Sequence, residues 1–121
     1  MFKDSDLVIS ETANIMEAME AINSNQKGAA FIVDSNDTLL GVVSDGDIRR
    51  ALLQGAILIS PIVKIMNINC ISIDRDGDAL LVEQVFVANP QITILPDIDQ
   101  SRKLKNIYYK DSKNDKILSI I

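Results

Sequence analysis

The chain contains no histidine. That removes Ser–His and Cys–His catalysis, and every histidine-ligated metal site, from what its own residues can do. Tryptophan is also absent, aromatics make up only 4% of the 121 residues, and a single cysteine, Cys70, rules out an intrachain disulfide. One free thiol fits a reducing compartment, so a cytoplasmic location is expected. Basic charge is scarce: 12 Lys+Arg stand against 17 Asp+Glu, a formal −5. With no positive field to meet phosphates, nucleic acid is a poor partner, and a basic membrane-binding face is unfavoured on the same ground. No apolar run reaches the length of a membrane-spanning helix, and Met1-Phe2-Lys3-Asp4 does not open a signal peptide.

What the chain does have is aliphatic bulk. Apolar residues are 47% of the total, enough for a well-formed core. Leu7-Val8-Ile9 reads as a short strand. Ser10 or Thr12 is placed to cap a helix whose apolar face is Ile15, Met16, Met19 and Ile22. Asn23 to Gly28 ends that helix. Ala29-Ala30-Phe31-Ile32-Val33 is a continuous apolar run of strand length, the pattern of a strand covered on both faces. A turn at Asp34 to Asp37 leads to a strand from Leu39 to Val43, then a helix from about Asp45 to Gln54. Ser60-Pro61 opens a short helix through Met66. Met16, Met19 and Met66 read as core.

The pattern then recurs. Cys70 to Ile73 is a strand, Asp76 or Asp78 caps a helix carrying Leu80, Leu81, Val85 and Phe86, and Asn89-Pro90 breaks it. Ile92 to Leu95 and Leu104 to Tyr109 are strands flanking a turn, and the apolar tail Lys116 to Ile121 packs as a last helix or strand. An offset of 65 residues pairs Val8 with Ile73, Ile15 with Leu80, Leu39 with Leu104 and Gly41 with Asn106. The reading is an α/β (α+β) fold of two tandem β-α-β-β-α units, residues 1–62 and 63–121, packed as a pseudo-twofold pair.

The chemistry concentrates in Leu39-Leu40-Gly41-Val42-Val43-Ser44-Asp45-Gly46-Asp47-Ile48-Arg49-Arg50. A buried strand runs into a tight turn and a helix start, where orphan N–H groups and the dipole favour an anion. Ser44 offers a hydroxyl, Asp47 a carboxylate, and Arg49 and Arg50 positive charge. Ser44 and Asp47 are one helical turn apart, so both side chains can face one cleft, whereas adjacent Arg49 and Arg50 cannot both face it. Ser44 and Asp47 also suit plain helix capping, and both roles can fall to the same residues.

Gly41-Val42-Val43-Ser44-Asp45-Gly46-Asp47, inside a tandem repeat, resembles the nucleotide motif of the cystathionine-β-synthase (CBS) domain family, whose pairs are also called Bateman modules. The surrounding sequence is similar to modules associated with sugar nucleotidyltransferases and sugar-phosphate isomerases. The resemblance implies binding without catalysis. Ser44 would meet a phosphate and Asp47 the ribose hydroxyls, with Asp45 and Arg49 beside them. The base would lie between the units against Ala29, Ala30 and Phe31 and near Ile9 and Ser10. The implied ligand is an adenosine nucleotide such as AMP or ATP, or alternatively a sugar nucleotide. The implied context is a homodimer that modulates an attached or partner enzyme, with a sugar nucleotidyltransferase expected first. The abrupt apolar end at Ile120-Ile121 fits the N-terminal part of a longer protein. The second unit departs from the motif: the offset sets Tyr109 at the Ser44 position and Ser112 at the Asp47 position. Its site is expected to be empty, altered or selective for another ligand, with Tyr108 or Tyr109 walling the cleft.

Three other readings fit parts of the same sequence. A structural dimerisation module with a vacant pocket would use the same fold. The Asp45-Gly46-Asp47 spacing is similar to that of Mg²⁺-dependent aspartyl-phosphate phosphatases, with Asp45 as nucleophile, but Arg49 stands where those enzymes have threonine. Asp74 to Asp78 looks like a calcium loop, but Gly77 and Val85 stand at the wrong positions, so a capped turn is expected.

Overall fold

Short apolar runs and amphipathic stretches become strands and helices in a computed structural model that describes Phe2, residues 4–74 and residues 78–121. They form two compact units, Met1–Cys70 and Ile71–Ile121. The first contains β1 (Val8–Ser10), α1 (Ile15–Asn25), β2 (Ala29–Val33), β3 (Leu39–Ser44) and α2 (Asp45–Leu53), then a single 3₁₀ turn, Ile62–Lys64. The sheet order is β1-β2-β3, with β2 parallel to β1 and antiparallel to β3. A parallel pair needs a crossover, and α1 supplies it. The central position of β2 accounts for its unbroken apolar sequence. Ile9, Ala30, Ile32 and Val43 of the sheet pack with Ile15, Ala18 and Ile22 of α1, Ile48 of α2 and Ile62.

Several local expectations need correction. The cap of α1 is Asn14, not Ser10 or Thr12. The Asn14 Oδ1 accepts from the Glu17 amide at 2.9 Å, and Glu17 Oε1 accepts from the Asn14 amide at 3.1 Å. Ser10 is still in β1, and its hydroxyl instead meets that of Thr12 at 2.9 Å. The buried stripe of α1 runs through Ala18 rather than the methionines, and Met16 and Met19 are 48% and 40% exposed. Ser60 caps no helix; its hydroxyl accepts from the Ile57 amide at 3.0 Å.

The second unit contains α2's successor α3 (Ala79–Ala88), then β4 (Ile94–Ile98), β5 (Leu104–Lys110) and β6 (Ile117–Ser119), in sheet order β4-β5-β6. The strand expected over Cys70 to Ile73 reduces to one parallel bridge, Ile73 to Asp97. Asp78 caps α3, its Oδ1 accepting from the Leu81 amide at 3.2 Å. The alternative cap Asp76 lies outside the described residues, as do Arg75 and Gly77 of the Asp74–Asp78 loop. Val82, Phe86, Ile73 and Leu95 form the core of this unit, while Leu80 is exposed.

The 65-residue repeat holds in atomic detail. It carries β2 onto β4 from end to end, and β3 onto the first six residues of β5. A register shift falls between Ile32 and Val33 and again between Asp97 and Ile98. Asp34 Oδ1 accepts from the amides of Asn36 and Thr38 at 2.8 and 2.9 Å, and Asp99 Oδ1 from those of Ser101 and Lys103 at the same distances. Asp37 and Arg102, both with left-handed backbone, complete the two turns. The units part company at the end. Where α2 follows β3, a turn over 111–116 follows β5 and returns the chain as β6. The mixed α+β fold class stands, and the tail takes its strand alternative. No helix among the described residues is long and apolar enough to cross a membrane.

Candidate functional site

The strand-to-helix corner at Ser44 is set by its two flanks. Upstream, Gly41 lets another segment approach β3: the amide of Val42 donates to the Asn67 carbonyl at 3.0 Å, and the Asn67 amide donates to the Val42 carbonyl at 2.8 Å. A Cβ on Gly41 would lie 2.7 Å from that Asn67 oxygen. The motif glycine is therefore required by backbone packing. Gly41→Ala is expected to lose about 1–3 kcal/mol of stability, as overpacking against backbone does; an unchanged urea midpoint would contradict this. Downstream, Ser44 is the N-cap of α2. Ser44 Oγ accepts from the Asp47 amide at 3.2 Å, and Asp47 Oδ2 accepts from the Ser44 amide at 3.0 Å. Two orphan donors of the helix start are satisfied reciprocally. Asp47 Oδ1 accepts from Arg50 Nη2 at 2.6 Å.

The structure brings together Ser44, Asp47 and Arg50, with Ala29 opposite Ser44 across the ladder. Asp45 is exposed in the same first turn, its amide held by the Gly28 carbonyl at 3.0 Å. It lies at one edge of a groove of about 540 Å³ with Met19, Asn23 and Gln26 of the α1 C-terminal region. Arg49 is exposed. Strand alternation divides the others. Ile9 and Ala30 belong to the core beneath the helices, so their side chains are committed to packing. Ser10, Ala29 and Phe31 lie on the other face by that alternation; Phe31 is buried and Ser10 exposed. Of the two arginines named from the sequence, it is Arg50, not the Arg49 chosen as a site residue, that bonds Asp47. Its signal was the i, i+3 spacing from Asp47.

Residues 3–54, which span the whole of this corner and its sheet, match the family model described as the CBS domain. A solved structure of the CBS domain pair of protein MJ0100, in complex with 5′-methylthioadenosine and S-adenosyl-L-methionine, superposes with a TM-score of 0.66 at 25% identity, over 85% of this chain and 83% of that one. The chain has the fold of a CBS domain pair. The CBS domain protein PAE2072 from Pyrobaculum aerophilum, complexed with AMP, is similar at a TM-score of 0.66 and 24% identity, over 88% of this chain and 82% of that one. Among relatives by sequence, an uncharacterized protein of Helicobacter pylori strain J99 is 31% identical over 84% of this chain and 31% of its own length. The arabinose 5-phosphate isomerase GutQ of Escherichia coli K12 is 28% identical over 77% of this chain and 29% of its own length. The chain thus spans about a third of the length of these curated relatives.

In this CBS pair fold, the second unit's counterpart of the corner is built differently. Tyr109 pairs with Ile94 just as Ser44 pairs with Ala29. No helix starts after Tyr109. The Asp111 amide donates to the Lys116 carbonyl at 2.7 Å and the hairpin closes. The capped helix start that follows Ser44 therefore has no equivalent here. On the other face of this sheet, Tyr108 joins Val82, Ile117 and Leu118 around a groove of about 410 Å³, beside the strand that replaces the second helix.

Proposed function

We propose that this chain is a regulatory, non-catalytic CBS pair whose first unit binds an adenosine nucleotide such as AMP or ATP and thereby modulates an attached or partner enzyme. The observation that carries the reading is the Ser44–Asp47 corner within a matched CBS domain: a hydroxyl and a carboxylate fixed at the positive end of α2. In the proposed complex Ser44 meets a phosphate and Asp47 the ribose hydroxyls, with Asp45 and Arg49 nearby. Ala29, Phe31 and Ser10 offer the base a sheet face, and Ile9 and Ala30 shape it from behind. Adenosine ligands in two solved relatives of this fold support the ligand class. The second unit, with Tyr109 and a hairpin at the corresponding corner, is the altered partner.

Regulation would follow from differential affinity of the ligand for two arrangements of the protein. Exposed apolar residues such as Met16, Leu53, Ile57 and Ile59 suit a homodimer. The similarity to GutQ favours a sugar-phosphate isomerase as the regulated enzyme over a sugar nucleotidyltransferase; a sugar nucleotide is the second ligand reading.

Isothermal titration with AMP, ATP, S-adenosylmethionine and a sugar nucleotide tests this. Ser44→Ala and Asp47→Ala are each expected to weaken binding of the preferred ligand by about 1–3 kcal/mol. Each also removes half of the capping box, so thermal unfolding has to confirm that the variant is folded at the titration temperature. A folded wild-type chain that binds none of the four would sink the sensor reading and leave the vacant dimerisation module.

A further inference from the structure

We infer that Arg50 sets the specificity of the Ser44–Asp47 site, turning from Asp47 to a ligand phosphate and so favouring phosphorylated nucleosides over uncharged ones. This rests on the site reading above. The Asp47 carboxylate meets donors at both oxygens, the Ser44 amide at Oδ2 and Arg50 Nη2 at Oδ1. A ribose diol that used this carboxylate would compete with the guanidinium for Oδ1. A ligand that gives the guanidinium a new partner removes that competition, and a ligand that cannot does not.

The position of the guanidinium identifies the partner it would take. Arg50 folds back over the first turn of α2, where a Cβ added to Gly46 would lie 3.3 Å from its Nη1. The amides and dipole of a helix start make that end positive, which is the wrong sign for a cation. Asp45 and Asp47 in the same turn offset the mismatch. An anion bound there would satisfy helix and guanidinium together, and the planar fork of arginine fits phosphate oxygens in pairs. The exchange is easy. The Arg50 side chain is 67% exposed, and exposed ion pairs hold weakly. Arg49, two residues from Asp47 and about a third of a turn from Arg50, does not share its face of the helix.

The test is titration of the full chain with AMP and with adenosine, in wild type and in Arg50→Gln, with Arg50→Lys alongside. Wild type is expected to prefer AMP. Arg50→Gln is expected to lose about tenfold in AMP affinity, the loss of a charge-assisted pair, while adenosine binds as well as before or better. Arg50→Lys, charged but without the fork, falls between. The salt dependence of AMP binding shrinks in Arg50→Gln. Both ligands binding with an unchanged affinity ratio in Arg50→Gln would overturn the inference and leave the site reading intact. Neither ligand binding to folded wild type would overturn both.

Discussion

Truncating Phe86 to alanine is expected to destabilise the second unit by about 3–5 kcal/mol, the range for removing a buried phenyl ring. Phe86 is 2% exposed and sits one turn beyond Val82 on α3, with Ile73 and Leu95 closing around it. Among the described residues of this unit α3 is the one helix against the sheet, so little remains to collapse into the void. Lys110 Nζ also lies 5.3 Å from the ring centroid, and that attraction is lost with the ring. The chain has two tyrosines, Tyr108 and Tyr109, both on β5, and no tryptophan. Tyrosine fluorescence therefore reports the second unit. Its urea midpoint should drop sharply in Phe86→Ala and only modestly in Phe86→Leu; an unmoved midpoint in the alanine variant would show that the ring is not packed as described.

Replacing Lys105 alone by leucine is expected to cost about 2–4 kcal/mol, whereas the double change Asp97→Ile with Lys105→Leu is expected to be neutral or stabilising by about 1–4 kcal/mol. Asp97, the fourth of five residues in β4, is 2% exposed, and Lys105 Nζ stands 3.6 Å from its Oδ1. The positions 65 residues earlier hold Ile32 and Leu40, an apolar pair of the first core. One repeat thus fills this place with hydrocarbon and the other with an ion pair. Removing Lys105 takes a cation from beside a buried carboxylate, while removing both charges restores the first unit's apolar solution. Because Lys105 is 31% exposed, water softens the single change, which puts it below the cost for a fully enclosed pair. Chemical denaturation of the two variants gives the answer. A double variant less stable than Lys105→Leu alone would mean that the charges hold more of the fold than each other.

The sequence made legible what is governed locally. The hairpin turns at Asp34 and Asp99 follow from side-chain-to-backbone bonds spanning two to four residues, so residue type alone suffices. The Ser44 corner is legible for the same reason: hydroxyl, carboxylate and amides all lie within one helical turn. The cap of α1 was missed because Asn14 and Glu17 form the capping box with asparagine in place of serine or threonine. The last element was open because six apolar-rich residues suit either a helix or a strand, and the choice belongs to the edge of β5, which is far from local. The division of Ile9 and Ala30 from Ser10, Ala29 and Phe31 was available from strand alternation, but it shows only once each strand's register is fixed. The choice between Arg49 and Arg50 was open to spacing: Arg50 stands three residues from Asp47 and Arg49 two, and only the first spacing shares a helix face.

Each aspartate turn ties its hairpin through contacts only a few residues apart, so closing it costs little chain entropy. Hairpins of this kind form in about 1–10 μs. β1 pairs with β2 only after the chain has run through all of α1, and Ile73 reaches Asp97 across all of α3. Assembly is therefore expected to take the same order in both halves, with the hairpin β2–β3 or β4–β5 first and the parallel contact laid onto its edge afterwards. The ligand corner at Ser44 stands at the end of the first hairpin and is positioned early, while the second unit spends the same early step on a plain turn.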